Sequence, residues 1–244
     1  MIAKLLGPPL CITAINFLNR KTSLFVAKNI NFCSLLTNRE VRAVFKYGVS
    51  RSDMKHDFLE LRQLIHQMTE LVKNTSDEAQ IVKIGKELLR SSLLNDAWLP
   101  EELIVGIAET YSQFLIYCDP EERFSIVLFV WRPGQQTPIH NHTVWGLVGV
   151  LRGEEQCDEY RMVAGMPTYS GVSHRIVAGE VEAVSPTLGD WHQVKNCSAQ
   201  TSISIHIYGA NIGKRRRQKI NEKGFMEDFI SGYLNESAWI DHRM

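Results

Sequence analysis

Hydrophobic residues recur at three- and four-residue spacing from Phe58 onward. Phe58, Leu61, Leu64, Ile65, Met68, Leu71 and Val72 fall on one stripe, which predicts a helix just after Met54. A second helix is expected to open on a capping box between Thr75 and Glu78, with Ile81, Ile84, Leu88 and Leu89 on its apolar face. Pro100 suits the first turn of a third, PEELIVGIAETYSQF (100–114). From Phe124 the pattern changes to short runs punctuated by Gly, Pro, Asp and Asn: FSIVLFVW, VWGLVGVL, QCDEYRMV, EVEAVS and TSISIHIY. Short strands with turn signals and no helices between them predict a mainly β sandwich or barrel. Residues 55–115 form its N-terminal α-helical cap in a domain spanning 54–244. After Tyr208 the basic stretch KRRRQK (214–219) leads into a final amphipathic segment ending near Tyr233.

Composition narrows the function classes. With 27 basic and 27 acidic side chains the net charge is zero, so no nucleic-acid or membrane partner is expected, and a small molecule is the default ligand. The choice between monomer and homodimer stays open. The five cysteines include no CxxC pair, which argues against a disulfide framework or a thiolate zinc site and for a reducing compartment, the cytoplasm. No apolar run reaches the ~18 residues of a membrane span. Residues 1–53 carry Lys4, Arg20, Lys21, Lys28 and Arg39 before the first acid, Glu40. This extension is read as lying outside the fold, either as an over-long gene start upstream of Met54 or as a mitochondrial transit peptide.

The chemistry lies in PGQQTPIHNHTVWGLVGVLRG (133–153). Residues i and i+2 of a strand share a face, so His140 and His142 can share a metal. Gly134, His140, His142 and Gly153 keep the spacing of the first cupin motif, with Gly146 where that motif has its glutamate ligand. GDWHQVKN supplies the second motif's ending through Gly189, His192 and Asn196, although Pro186 sits one residue early. A cupin, the jelly-roll or double-stranded β-helix barrel, would bring His140, His142 and His192 together. Such a neutral three-histidine set leaves positions open for exogenous ligands, and the uncompensated metal charge favours an anionic substrate such as a thiolate. Zinc hydrolases share this ligand count, so the count leaves the metal open. In SISIHIY, Ser204, His206 and Tyr208 alternate onto one face, where a relay could polarise the phenol toward a metal-bound ligand. No GxSxG elbow supports serine hydrolase chemistry.

Together with YSQFLIYCDPEERFSIVLFVW and SIHIYGANIG, these motifs resemble the thiol dioxygenases, the cysteine dioxygenase family in its bacterial form, over residues 55–235. The resemblance implies an Fe(II) enzyme that adds both atoms of O2 to a small thiol, giving a sulfinic acid. His140, His142 and His192 then correspond to the iron ligands, and Ser204, His206 and Tyr208 to the triad behind them. Two departures from the animal-type members bear on the chemistry. Gly146 stands where a cysteine there forms a thioether with the tyrosine matching Tyr208, so Tyr208 is expected to be a free phenol. Gln113 replaces the arginine that pairs with the substrate carboxylate. In Gln-type members a downstream arginine takes that role, and Arg217 fits best by spacing from Tyr208, with Arg216 second. Lys214 and Arg215 are read as a solvated face. These features favour 3-mercaptopropionate over cysteine. The rival is a non-catalytic cupin sensing a metal or small ligand. Trp131 and Trp145 are read as barrel packing, with Trp145 near enough to His142 to wall the pocket. His66 and His174 show no partner pattern, and Cys118 and Cys157 are read as inert buried thiols.

Overall fold

In the computed structural model, which describes residues 58–99, 101–105 and 109–240, the apolar stripes become the buried faces of two helices. Helix α1 (Leu59–Asn74) buries Leu61, Leu64, Ile65 and Met68. Helix α2 (Glu78–Ser92) buries Ile81, Val82 and Leu89. Its cap differs from the expected Thr75–Glu78 box. Asp77 is the N-cap, its Oδ1 accepting from Ala79 N at 2.9 Å and Gln80 N at 3.4 Å. Thr75 instead ends α1, and its hydroxyl accepts from Asp77 N. A carboxylate adjoining the first helical residue reaches the free N–H groups that a hydroxyl two residues earlier does not. The segment 1–53 lies outside the described residues, as does Pro100.

The expected third helix is a single turn, α3 (Glu101–Ile104). The end of that stretch forms strand β1 (Ser112–Cys118). Pairing with β2 (Ser125–Trp131) satisfies its backbone and buries Phe114 and Ile116 in the same core as the helices. That long-range gain overrides the helical spacing.

The remaining strands are β3 (Gly146–Arg152), β4 (Glu154–Val163), β5 (Met166–Val177), β6 (Val181–Val184), β7 (Trp191–Lys195), β8 (Ser202–Tyr208), β9 (Arg217–Ile220) and β10 (Met226–Phe229). One antiparallel sheet runs β1-β2-β8-β3-β6 and a second β5-β4-β7. Backbone bridges join β7 to His140, and His140 to Lys219 of the β9-β10 hairpin, which extends the second sheet. This is the cupin barrel, mainly β, with the helices on its N-terminal side. The sequence pattern missed β5, whose residues are largely exposed and do not alternate. The final amphipathic segment is the β9-β10 hairpin followed by a strap on which the Tyr233 hydroxyl accepts from Gly213 N and donates to Asn211 Oδ1. No helix among the described residues is long and apolar enough to cross a membrane.

Strand β8 is buried along its whole length. Ile203, Ile205 and Ile207 pack into the helix-facing core with Ile126, Leu128 and Val130 of β2. The opposite face carries Ser202, Ser204, His206 and Tyr208 inside the barrel, beside Val127, Phe129 and Trp131. Gly153 turns β3 into β4 at φ 78°, and a Cβ there would stand 3.0 Å from the Ser202 Cα. Asp77→Ala should cost about 1 kcal/mol in urea unfolding, and Thr75→Ala less; the reverse order would restore the Thr75-centred cap.

Candidate metal centre

His140 and His192 are cross-strand neighbours, exchanging backbone hydrogen bonds of 3.0 Å in both directions. His142 lies one loop residue beyond, and one ring nitrogen from each of the three falls within 4.8 Å of the others. What aims them is the bonding of their far nitrogens. His140 Nδ1 is 3.0 Å from the Pro138 carbonyl, which only accepts, so this nitrogen carries the proton. His142 Nδ1 is 3.0 Å from Asp190 Oδ1, and His192 Nδ1 is 3.5 Å from Cys157 Sγ. All three Nε2 atoms are left to converge, and the donor set fits a metal ion. Asp190 is itself fixed by the backbone N–H groups of His142 and Thr143, both at 2.8 Å. Burial pushes its pKa up while those two bonds hold it down.

Burial also keeps the histidines neutral, the state that ligates. His140 and His142 fall well below the ordinary imidazole value through desolvation first and then neighbouring cationic groups. His192 falls to about 4, again from desolvation, with Asp190 opposing it.

Behind the histidines the alternation of β8 sets a hydrogen-bonded row. Ser204 Oγ is 2.9 Å from His206 Nε2, and His206 Nδ1 is 2.8 Å from the Tyr208 hydroxyl. The Trp131 indole donates to Ser204 Oγ at 3.1 Å, so this residue is polar support as well as packing. Desolvation lowers His206 to about 3 and pushes the Tyr208 phenol up, so both are neutral at neutral pH. Tyr208 stacks on His142 with ring centroids 5.3 Å apart. Gly146 faces Tyr208 across the β3–β8 pair, and a Cβ there would come within 2.9 Å of its ring.

A narrow pocket opens onto this centre, with His140, His192, Tyr208, Gln113 and Arg217 in its wall. Arg217 is only 5% exposed. Its Nη2 donates to Ser231 Oγ at 2.8 Å, its guanidinium lies 4.6 Å from the Phe229 ring centre, and its buried Nε has no partner. No acidic side chain among the described residues forms an ion pair with it. Gln113 Nε2 donates to the same Ser231 hydroxyl and to the Gly232 carbonyl. Arg216 is exposed and paired with Asp228 at 3.4 Å. Lys214 pairs with Glu122, and Arg215 donates to Thr143 Oγ1. Trp145 is buried toward the helices and does not wall the pocket.

Cys157 and His174 differ from expectation. Cys157 is a buried thiol, and it also orients a candidate ligand. His174 has partners: its Nε2 lies 2.6 Å from Glu182 Oε1, and with Cys157 these form a second cluster of possible donors. His66 is exposed on α1. Asp190, which holds His142 and stands two residues before His192 in GDWHQVKN, was findable as a carboxylate close to a motif histidine. Phe229 is the cross-strand partner of Arg217 in the β9-β10 hairpin, and Ser231 reaches Arg217 from the strap that follows; neither carries such a signal.

No protein-family model matches the chain. Solved structures similar to it include a double-stranded β-helix protein of Klebsiella pneumoniae at 17% identity, covering 46% of this chain and 87% of that one with a TM-score of 0.38. An oxalate oxidase bound to the substrate analogue glycolate matches at 17% identity, over 41% of this chain and 51% of its own, TM-score 0.35. A cupin 2 conserved barrel protein of Rhodopseudomonas palustris matches at 18% identity, over 47% and 69%, TM-score 0.36.

The depressed histidine pKa values have a stability consequence. Below about pH 6.5 the unfolded chain protonates these imidazoles while the folded one resists until about pH 4 for His192 and 3 for His206. The unfolded state therefore binds more protons in that window, and stability falls as pH falls. Urea unfolding of metal-free protein should show a loss of a few kcal/mol between pH 7 and 5, and His206→Gln should reduce that loss.

Proposed function

We propose that this chain is a non-haem Fe(II) thiol dioxygenase that adds both atoms of O2 to a small thiol carboxylate, 3-mercaptopropionate ahead of cysteine, to give the sulfinic acid. The observation that carries the reading is Arg217: a buried guanidinium without a carboxylate partner, in the wall of the pocket that the histidines share. Burying a charge unpaired is costly, and an anionic ligand relieves that cost. A thiol carboxylate would place its carboxylate on Arg217 and its sulfur toward the three imidazoles. No acidic side chain lines the pocket, so the ammonium of cysteine would find no charged partner there. That absence favours the three-carbon acid without an amine.

His140, His142 and His192 would hold the iron, which when bound supplies the redox chemistry that joining dioxygen to a thiol requires. The rest falls to the chain's own groups. Arg217 and Gln113, tied through Ser231, orient the substrate. Phe129 packs over His206 with ring centres 4.2 Å apart and excludes water from the relay. Tyr208 presents a neutral phenol to the pocket, its hydroxyl fixed by the hydrogen bond with His206.

Purified protein should contain about one equivalent of iron, and changing any of the three histidines to Ala should remove binding and turnover. Steady-state O2 consumption should give a higher kcat/KM with 3-mercaptopropionate than with cysteine. Arg217→Ala should lower it roughly 30-fold or more, from the loss of a charge-assisted pair worth on the order of 2–5 kcal/mol. Gln113→Ala should cost about 1 kcal/mol. No O2 uptake by the iron-loaded protein with either thiol would sink the dioxygenase reading in favour of a non-catalytic cupin; a silent Arg217→Ala would remove its carboxylate role. Denaturing mass spectrometry should find Tyr208 unmodified, since Gly146 offers no sulfur.

A further inference from the structure

Glu155 lies just after the β3–β4 turn and is fully buried, an acid that the proposed chemistry has not used. Its Oε1 is 2.9 Å from Ser202 Oγ, while its buried Oε2 has no hydrogen-bond partner. Ser204 follows Ser202 by two residues on β8 and therefore stands on the same face. The Ser204 hydroxyl also favours the ionised form of that carboxyl, which sets the acid beside the inner end of the Ser204–His206–Tyr208 row.

The bonding around Glu155 suits either protonation state. Ser202 Oγ lies 2.9 Å from the carboxyl and 3.0 Å from the Arg152 carbonyl, yet a hydroxyl has one hydrogen. With the carboxylate ionised, Ser202 donates to it. With the acid protonated, Glu155 donates to Ser202, whose own hydrogen turns to the Arg152 carbonyl. Neither state leaves this contact broken. Burial pushes the pKa up to about 7, against the Ser204 and Ser202 hydroxyls, which hold it down. The Trp131 indole only donates, so it occupies one lone pair of Ser204 Oγ and leaves the hydroxyl hydrogen for His206 or Glu155.

The groups facing this acid carry no formal charge. On its own strand Cys157 is a thiol held neutral by burial and by surrounding carboxylates. Strand β8 presents Ser202, Ser204 and then the neutral His206 and Tyr208. Strand β2 presents Trp131, and β5 places Ile176 opposite. The Arg152 guanidinium of β3 pairs with Asp96 instead.

We propose that Glu155 is the proton acceptor at the buried end of the Tyr208–His206–Ser204 row, receiving the proton that a substrate thiol loses on becoming a thiolate. This rests on the thiol chemistry proposed above. The S–H bond breaks and its proton goes to the Tyr208 oxygen as the phenolic proton passes to His206 Nδ1. The proton on His206 Nε2 passes to Ser204 Oγ, and that of Ser204 to Glu155. No electrons change hands, each relay group ends neutral with His206 in its other tautomer, and Glu155 gains one proton. Adding O2 to the thiolate gives a sulfinate, so the stored proton is the one that the whole reaction releases.

The test is infrared difference spectroscopy on iron-loaded protein without oxygen, near pH 8, with and without 3-mercaptopropionate, alongside calorimetry of thiol binding. Binding should raise the carbonyl band of a protonated buried carboxylic acid in the wild type. The band should be missing in Glu155→Gln, which keeps a partner for Ser202, and in Tyr208→Phe, which breaks the row at its pocket end. Glu155→Gln should also lower kcat about 10-fold or more and remove an ionisation near neutral pH from its pH profile, with iron content and KM kept. Thiol binding without the band, or a band that survives in Glu155→Gln, overturns the role of Glu155 alone. Failure of the wild type to bind the thiol overturns this proposal together with the thiol reading.

Discussion

The centre of this protein depends on one strand being buried on both faces. Along β8 the isoleucines at 203, 205 and 207 go to the helix-facing core, and Ser204, His206 and Tyr208 go to the barrel interior. A slip of one residue would exchange the two sets, driving three polar side chains into an apolar layer and three isoleucines into the site. The apolar face thus locks the register that the polar face needs. Helices α1 and α2 are therefore part of the site's construction although none of their residues line its pocket.

Dryness then sets the electrostatics. Every imidazole at the centre is held neutral by desolvation, and each would-be ligand has its Nδ1 occupied, by a carbonyl, a carboxylate or a thiol. Orientation and basicity are settled before any ion arrives, which is the usual service of groups behind a metal ligand. Against this neutral background one buried charge stands out. Arg217 rests on Phe229 and Ser231 and forms no ion pair with an acid among the described residues. Glu155 is the counterpart on the far side of the relay, a buried acid able to exist in either protonation state without losing its contact to Ser202.

Much of this was legible in the chain. The period-two alternation of SISIHIY placed its polar residues on one face, and the HxH pair with GDWHQVKN named the three histidines that the fold brings together. The helical stripes of α1 and α2 were equally plain, because a local spacing rule decides which side chains face inward. Arg217 was separable from Arg216 only by its distance from Tyr208, and β9 turns that spacing into one buried and one exposed guanidinium.

Other features had no local signature. The stretch ending in TYSQF has helical spacing, yet its end becomes β1 because an open edge of β2 needed a partner. Asp77 displaced the expected cap through a two-residue difference in where α2 begins. Ser231 gained its place from a strap folding back across the barrel, Phe229 from the β9-β10 pairing that sets it opposite Arg217, and Cys157 met His192 through strand pairing between β4 and β7. The sequence by itself determined which faces of the helices and of β8 are apolar, since those follow from the period of two or 3.6 residues, whereas His140 and His142 meet from an isolated bridge and a loop and share no strand. Only the tertiary structure decided which polar groups stand behind the ligands and which charge is left without a partner, because those depend on contacts between segments far apart in the chain.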